Sequence, residues 1–308
     1  MKLSIIIPLL NEEANLPELL RRLNAMLKTQ QNDWELIFVD DGSTDATPTM
    51  LATEAANNAR IKTIIFSRNF GHQAAITAGL NHATGDIVAM IDGDLQDPPE
   101  LIPTLIAKQQ EGYDVVYAIR ENRKEAWWKN MSYKIFYRLI GAISTGVNLP
   151  LDAGDFSLIT RRVVDALNAM PENNRYIRGL RSWVGFRQTG IAYNREARFA
   201  GESKYTIWKM IKLAYDGIFS FSYFPITAVG VLGFCSTLVA FLGIVIILYI
   251  RLFTEKSIPG FASIAIITLF FGSVQLLAIS TIGEYIRRIY DETKHRPLYV
   301  VKEKIGLK

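Results

Sequence analysis

Two carboxylates stand one residue apart in Asp92-Gly93-Asp94, directly after the apolar run of residues 86–91. That run reads as a short strand of the buried, parallel-sheet kind. Downstream, Asp97-Pro98-Pro99-Glu100 reads as a helix start, with Asp97 as cap and prolines in the first turn. The pair therefore belongs at the carboxyl end of a strand, where open α/β sheets place their ligands. Gly93 has no side chain, so both carboxylates can turn toward one oxygen-loving cation. Mg²⁺ or Mn²⁺ suits such a site, because each takes carboxylates together with a substrate's phosphate oxygens. The alternative is a solvated acidic turn, since a lone Asp-x-Asp is a weak motif.

The elements that must position the pair repeat along the first half of the chain. Strands are predicted over residues 3–10, 35–39, 62–67, 86–91 and 114–118. Helical spacing fills residues 16–27, a stretch ending at 57, residues 73–82 and residues 101–111. Strands separated by helices of this length imply right-handed βαβ units and an α/β fold with a mostly parallel sheet. Three acidic clusters then share one sheet edge: Asn11-Glu12-Glu13, Asp40-Asp41 and Asp92-Gly93-Asp94. Asn and Asp side chains there suit the edges of a base and the hydroxyls of a ribose. A pyrophosphate beside so many carboxylates needs a divalent ion. No Gly-x-Gly-x-x-Gly and no Walker A sequence follows a strand, so hydride transfer and P-loop binding are unsupported.

The C-terminal part has another character. No charged residue occurs in residues 217–250 or in residues 257–283. Each run exceeds the roughly 20 residues that a helix needs to cross a bilayer. Two transmembrane helices are expected, forming a hairpin over residues 224–283. The apolar N-terminal run is short, contains Pro8 and stops at Asn11-Glu12-Glu13, so it is read as a strand and not a signal peptide. The tail over residues 284–308 holds Arg287, Arg288, Lys294, Arg296, Lys302, Lys304 and Lys308. The positive-inside rule then puts both termini and residues 1–202 on the cytoplasmic face of the inner or plasma membrane. The single cysteine, Cys235, lies in the first apolar run, so no disulfide framework exists.

Charge divides the same way. Residues 1–117 carry 8 Lys/Arg against 16 Asp/Glu, while residues 118–308 carry 26 against 14. Within the basic part, residues 126–143 and 203–223 mix aromatic with basic side chains, as helices lying in a membrane interface do. A membrane partner explains this basic half better than nucleic acid does, since no nucleic-acid-binding motif is present.

Several motifs in order carry a resemblance: residues 4–13, Val39-Asp-Asp-Gly-Ser-Thr-Asp45, Ser67-Arg-Asn-Phe-Gly71, residues 92–100, Arg175-Tyr-Ile-Arg-Gly179 and Gly201-Glu-Ser-Lys-Tyr205. With them the chain resembles the family-2 glycosyltransferases of GT-A fold, most closely those that use a polyprenyl phosphate acceptor. Leu10 departs from the pattern, where many relatives carry tyrosine. The resemblance implies that Asp92, Asp94 and Gln96 hold the metal. It implies that Pro8, Asn11, Glu12, Asp41, Asp92 and Gly93 line a nucleotide-sugar pocket. It also places Asp155 near the reacting sugar carbon, where a capping or turn role is the alternative. Arg198 and Lys204 flank a loop that looks like the family's lid over the donor diphosphate.

A lipid phosphate monoester, with a second pKa near 6, is mostly dianionic at neutral pH and attacks without losing a proton. Asp155 can then orient the sugar in place of acting as a base. The acceptor needs cations, for which Arg120, Arg123 and Lys124 are expected, with headgroup contact the alternative, for Lys124 above all; Arg175, Arg178 and Arg181 suit either purpose. His72 is expected to cap or pack at the sheet edge and His82 to end a helix, so neither is assigned to catalysis.

The expected reaction is inverting transfer of a hexose to a polyprenyl phosphate, with UDP-glucose the favoured donor. GDP-mannose, UDP-GlcNAc and an amino-arabinose donor stay open. A non-catalytic nucleotide-sugar-binding subunit is the alternative of another class. Related enzymes imply a homo-oligomer, a tetramer.

Overall fold

The computed structural model of the chain describes residues 1–30, 33–121, 153–173, 175–194, 224–253 and 260–307. Eight strands form one sheet in the order β7-β5-β6-β4-β1-β2-β3-β8. In chain order these are β1 (Lys2–Leu9), β2 (Asp33–Asp40), β3 (Ile61–Phe66), β4 (Ile87–Met90), β5 (Val115–Glu121), β6 (Ala153–Thr160), β7 (Gln188–Asn194) and β8 (Val301–Ile305). The helices of this unit are α1 (Leu16–Lys28), α2 (Thr47–Asn57), α3 (His72–His82), α4 (Ile102–Gln110), α5 (Arg161–Asn168) and α6 (Ile177–Trp183).

β1 is the centre of the sheet because both of its faces are covered, which is why its sequence is apolar almost without a break. Leu3, Ile5, Ile7 and Leu9 share one face with Leu36 and Phe38 of β2. The helix α1 supplies Leu16, Leu19, Leu20, Leu23, Met26 and Leu27 to that layer, spaced three and four apart as one helix face requires. Each such side chain contributes about 1.5–3 kcal/mol through burial. A charge at Leu23, which is wholly buried, would break the layer.

At the amino-terminal edge a buried polar knot joins the strands. Glu35 on β2 accepts from Ser4 Oγ of β1 at 2.6 Å and from Lys62 Nζ of β3 at 2.6 Å. The backbone amide of Thr84, just ahead of β4, adds a third bond at 2.7 Å.

β1, β2, β3 and β4 are mutually parallel, as the sequence reading expects. β6 runs antiparallel to β4 and β5, and β8 antiparallel to β3, so the sheet is mixed, with six of its eight strands running one way. The difference has a consequence for the site. An antiparallel strand beside β4 begins where β4 ends, so residues at the start of β6 reach the same edge as Asp92. β6, β7 and β8 are the strands without a predicted counterpart.

The chain divides into two units. Residues Arg296–Lys308 belong with the sheet unit, through β8, rather than forming a separate basic tail after residue 283. The other unit contains two helices in contact with each other, α7 (Phe224–Phe253) and α8 (Phe261–Thr293). Among the described residues one helix, over Phe224–Ile250, is long and apolar enough to cross a membrane. Large apolar side chains on it face outward, with Phe234 72% and Phe241 62% exposed. Residues 126–143 and 203–223, read as interfacial helices, lie outside the described residues.

Candidate active site

The carboxyl ends of β1, β2 and β4 carry the three clusters to one edge of the sheet. Two of them mainly stitch loops together. Asn11, at φ 55°, donates its amide to Ser43 Oγ at 2.8 Å and accepts the Thr44 amide at 2.8 Å on its side-chain oxygen. The Glu12 amide bonds Thr47 Oγ1 at 3.0 Å, and Glu13 accepts the Ala46 amide at 2.9 Å. Pro8 is the buried penultimate residue of β1.

Asp41 is buried and accepts amides from Phe70 at 2.7 Å and Gly71 at 3.0 Å. Burial raises its pKa, against those two amides. Asp41 thus holds the loop of residues 67–71, which connects β3 to α3. Gly42 (φ 74°) makes room for this loop: a Cβ there would stand 2.4 Å from the carbonyl carbon of Arg68. The loop in turn fixes His72, the first residue of α3.

The third cluster is the chemical one. Asp92 is partly exposed and Asp94 nearly buried, with Gly93 between them pressed onto β1. A Cβ at Gly93 would fall 2.1 Å from Leu9 Cδ2, so a side chain there would have to displace that of Leu9. Asp94 accepts the Gln96 amide at 3.1 Å. Leu95 sits at φ 59°, a conformation costly for such a side chain and of the kind that clusters at functional sites. Asp97 does not cap a helix as the sequence reading expects. It is fully buried and accepts the hydroxyl of Tyr193 on β7, while a 3₁₀ turn over Pro99–Leu101 leads into α4.

Across the sheet, Met90 pairs with Ser157. Two residues further on the same register stand Asp92 and Asp155, side by side at the edge. Arg178 of α6 grips Asp155 with two bonds, Nε to Oδ1 at 2.9 Å and Nη2 to Oδ2 at 3.2 Å. His72 Nε2 lies 3.3 Å from Asp155 Oδ2 and 3.5 Å from Asp92 Oδ1. The histidine expected to cap or pack at the edge therefore stands between two carboxylates, because the loop held by Asp41 delivers it there. Its position after the third parallel strand was the available signal. His82 does end α3, with Nδ1 2.8 Å from the Ala78 carbonyl oxygen.

The electrostatics follow from this crowding. Burial pushes Asp155 up, but Arg178 and His72 outweigh it and hold the carboxyl well below its ordinary range. Burial opposes charge on His72, yet the bond to Asp155 and the nearness of Asp92 raise its pKa to about 9. The ring is 43% exposed, so solvent screens part of this pull. Asp92 is raised to about 6 by burial, with His72 opposing and Asp97, Asp155 and Asp94 adding repulsion. Behind Asp155, Arg181 is wholly buried and lowered to about 10 by that burial, with Asp155 opposing. Arg178 and Arg181 are thus turned inward to Asp155 and the Gly154 carbonyl, and Arg175 Nη1 binds the Met170 carbonyl at 3.3 Å.

Among the described residues no group of three or more His, Cys, Asp or Glu forms a ready-made metal cage. An all-protein cage is not what Mg²⁺ or Mn²⁺ needs beside a diphosphate, where one or two carboxylates suffice. The donor chemistry here fits such an ion. Asp92 and Asp94 offer hard oxygens, and the repulsion that lifts Asp92 is the excess of negative charge that a cation would relieve. Arg120 is a residue of β5 whose side chain is not described. Arg123, Lys124, Arg198 and Lys204 lie outside the described residues.

Residues 4–167 match the family model for Glycosyl transferase family 2. The chain belongs to glycosyl transferase family 2. It is accordingly a glycosyltransferase, and its mixed Rossmann-like sheet is of the GT-A kind. Among its family-2 relatives, the uncharacterized glycosyltransferase YkcC of Bacillus subtilis (strain 168) is 46% identical over 99% of this chain and 94% of its own. The bactoprenol glucosyl transferase of Shigella phage SfV is 39% identical over 98% of both chains. A solved structure of glucosyl-3-phosphoglycerate synthase from Mycobacterium tuberculosis, in complex with Mn²⁺, UDP and phosphoglyceric acid, shares the fold. It superposes with TM-score 0.51 at 18% identity, over 70% of this chain and 76% of that one.

Proposed function

We propose that this family-2 enzyme transfers a glucosyl residue from UDP-glucose to a polyprenyl phosphate at a membrane face, with inversion at the sugar carbon. The observation that carries the reading is the full-length match to a bactoprenol glucosyl transferase, 39% identical with 98% of each chain covered. The juxtaposition of Asp92, His72 and Asp155 at the sheet edge is consistent with it.

In this reading Asp92 and Asp94, with Gln96 beside them, hold Mg²⁺ or Mn²⁺. When bound, the ion neutralises charge that builds on the departing diphosphate. The chain's own residues do the rest. A phosphate oxygen of the acceptor attacks the sugar's anomeric carbon, whose bond to the diphosphate oxygen breaks with the electron pair leaving on UDP. The acceptor has no proton to lose, so no strong base is required. Asp155 is a poor base in any case, because Arg178 and His72 keep it ionised. Its negative charge instead faces the positive charge that develops at the sugar carbon, and its oxygens can accept a sugar hydroxyl. Arg178 and His72 fix its orientation, so this charge is in place before the reaction starts.

Membrane association rests on α7, whose apolar side chains face outward, and on the second charge-free run, of which residues 261–283 lie in α8. Both runs as spans, with the sheet unit and the two termini cytoplasmic, belong to the proposal. So do Arg120, Arg123 and Lys124 as cations for the acceptor, Arg198 and Lys204 at the diphosphate, and assembly as a tetramer. Pro8, Asn11, Glu12, Asp41 and Gly93 shape the floor of the nucleotide pocket, Asn11 and Asp41 by bracing its loops.

The test offers UDP-glucose, GDP-mannose, UDP-GlcNAc and a UDP-linked amino-arabinose to the purified full chain with undecaprenyl phosphate and Mn²⁺. Lipid-linked glucose from UDP-glucose alone supports the reading. Lipid product from another donor in its place overturns the assignment of glucose.

A further inference from the structure

The residues that follow α8 do more than close the edge of the sheet. β8 pairs with β3, and the Val300 carbonyl accepts the amide of Ser67, the first residue of the loop that leads to His72. Next to it, the ring of Tyr299 stacks on Phe66 with centroids 4.9 Å apart and planes 13° from parallel. Phe66 meets Phe70 edge-on at 5.7 Å. The Arg68 guanidinium lies over the Phe70 ring, 4.0 Å from its centroid. Phe70 and Gly71 are the residues whose amides reach Asp41. The hydroxyl of Tyr299 also accepts from Asn81 Nδ2 at 3.0 Å, at the far end of the helix that His72 begins. One side chain of the C-terminal tail thus touches both the entry to the loop and the exit of α3.

We infer that Tyr299 is a positioning residue for the active site, acting through Phe66 and Phe70 on the loop that presents His72 to Asp92 and Asp155. The tail is a strap: its strand supplies the backbone bond, and its aromatic ring fixes the loop's apolar side. The partners of Tyr299 are Phe66 and Asn81, not the carboxylates, so the effect is on where His72 stands and not on its chemistry. The kinetic part rests on the proposed transfer reaction; the structural part does not.

The experiment measures backbone hydrogen exchange and transfer kinetics on the full chain in lipid nanodiscs, comparing wild type, Tyr299→Ala and Tyr299→Phe. Loss of one aromatic contact should raise exchange at Phe70 and Gly71 by about tenfold, with β1 and β4 unaffected. In the same variant kcat should fall while the donor KM changes little, and Tyr299→Phe, which keeps the stack, should restore both readings. Should Tyr299→Ala fail to fold, Tyr299→Leu retains apolar volume without the stack and carries the same comparison. Unchanged exchange at Phe70 and Gly71, or a uniform rise across the whole sheet, overturns the inference. If wild type shows no transfer at all, the proposed function fails, and the exchange comparison still decides the strap.

Discussion

Arg178 and Asp155 form a two-pronged ion pair, with Nε 2.9 Å from Oδ1 and Nη2 3.2 Å from Oδ2. The carboxylate is 6% exposed and the guanidinium 23%, so little water competes for either partner. A lysine delivers a point charge and cannot reproduce the fork. Arg178→Lys should therefore lower kcat by roughly 10–100-fold and reduce stability by roughly 2 kcal/mol, less than a fully isolated buried charge costs because His72 remains. Steady-state kinetics and urea unfolding of the variant check both numbers.

His72 bridges the two carboxylates from the one loop that Asp41 holds. His72→Ala should cut kcat by roughly tenfold or more with the donor KM nearly unchanged. Stability should move by under about 1 kcal/mol, as expected for a side chain 43% exposed. Equal losses in kcat and stability would remove it from the site.

Gly42 is a backbone position where any side chain meets the loop of residues 67–71. Gly42→Ala combines a left-handed φ of 74° with a 2.4 Å approach to Arg68, and should cost about 1–3 kcal/mol. It should also lower activity, because the displaced loop carries His72. Thermal unfolding and transfer rates, measured together, read both effects.

Acid should unfold the sheet unit through Glu35. Burial works to raise its pKa, but Lys62, Ser4, the Thr84 amide and Lys2 overcome it and lower it from 4.5 to about 2. A carboxyl depressed on folding adds stability above its unfolded pKa and loses it as pH falls. The contribution, about 3 kcal/mol, should be complete above about pH 5 and vanish by about pH 2. Glu35→Gln should be less stable at pH 7 and show a flatter stability profile across that window in urea titrations.

Much of this site can be read from sequence where one strand and its loop suffice. β1, β2, β3 and β4 announce themselves by apolar runs, and parallel order sends Asn11, Asp41, Asp92 and Asp94 to one edge. What pattern alone does not carry is pairing between distant strands. β6 is needed to bring Asp155 beside Asp92, yet its sequence, with Gly154, Asp155 and Ser157, lacks a strand's apolar signature. β8 is short, exposed and charged, and its place beside β3 depends on a partner more than two hundred residues away. His72 and Arg178 were legible as residue types but not as neighbours, since only the loop bond to Asp41 and the angle of α6 bring them to Asp155. Asp97 followed by two prolines reads as a cap, and it is instead spent on Tyr193.

The central claim is that Asp92 and Asp94 serve a transfer to a lipid phosphate that Asp155 assists. It is tested most directly by following labelled glucose from UDP-glucose into solvent-extractable lipid, with the full chain, undecaprenyl phosphate and Mn²⁺. Wild type should give glucosyl lipid, chelation of the metal should stop it, and Asp94→Ala should fall at least ~100-fold while remaining folded. No lipid-linked glucose from wild type, or equal product from Asp94→Ala, would contradict the account.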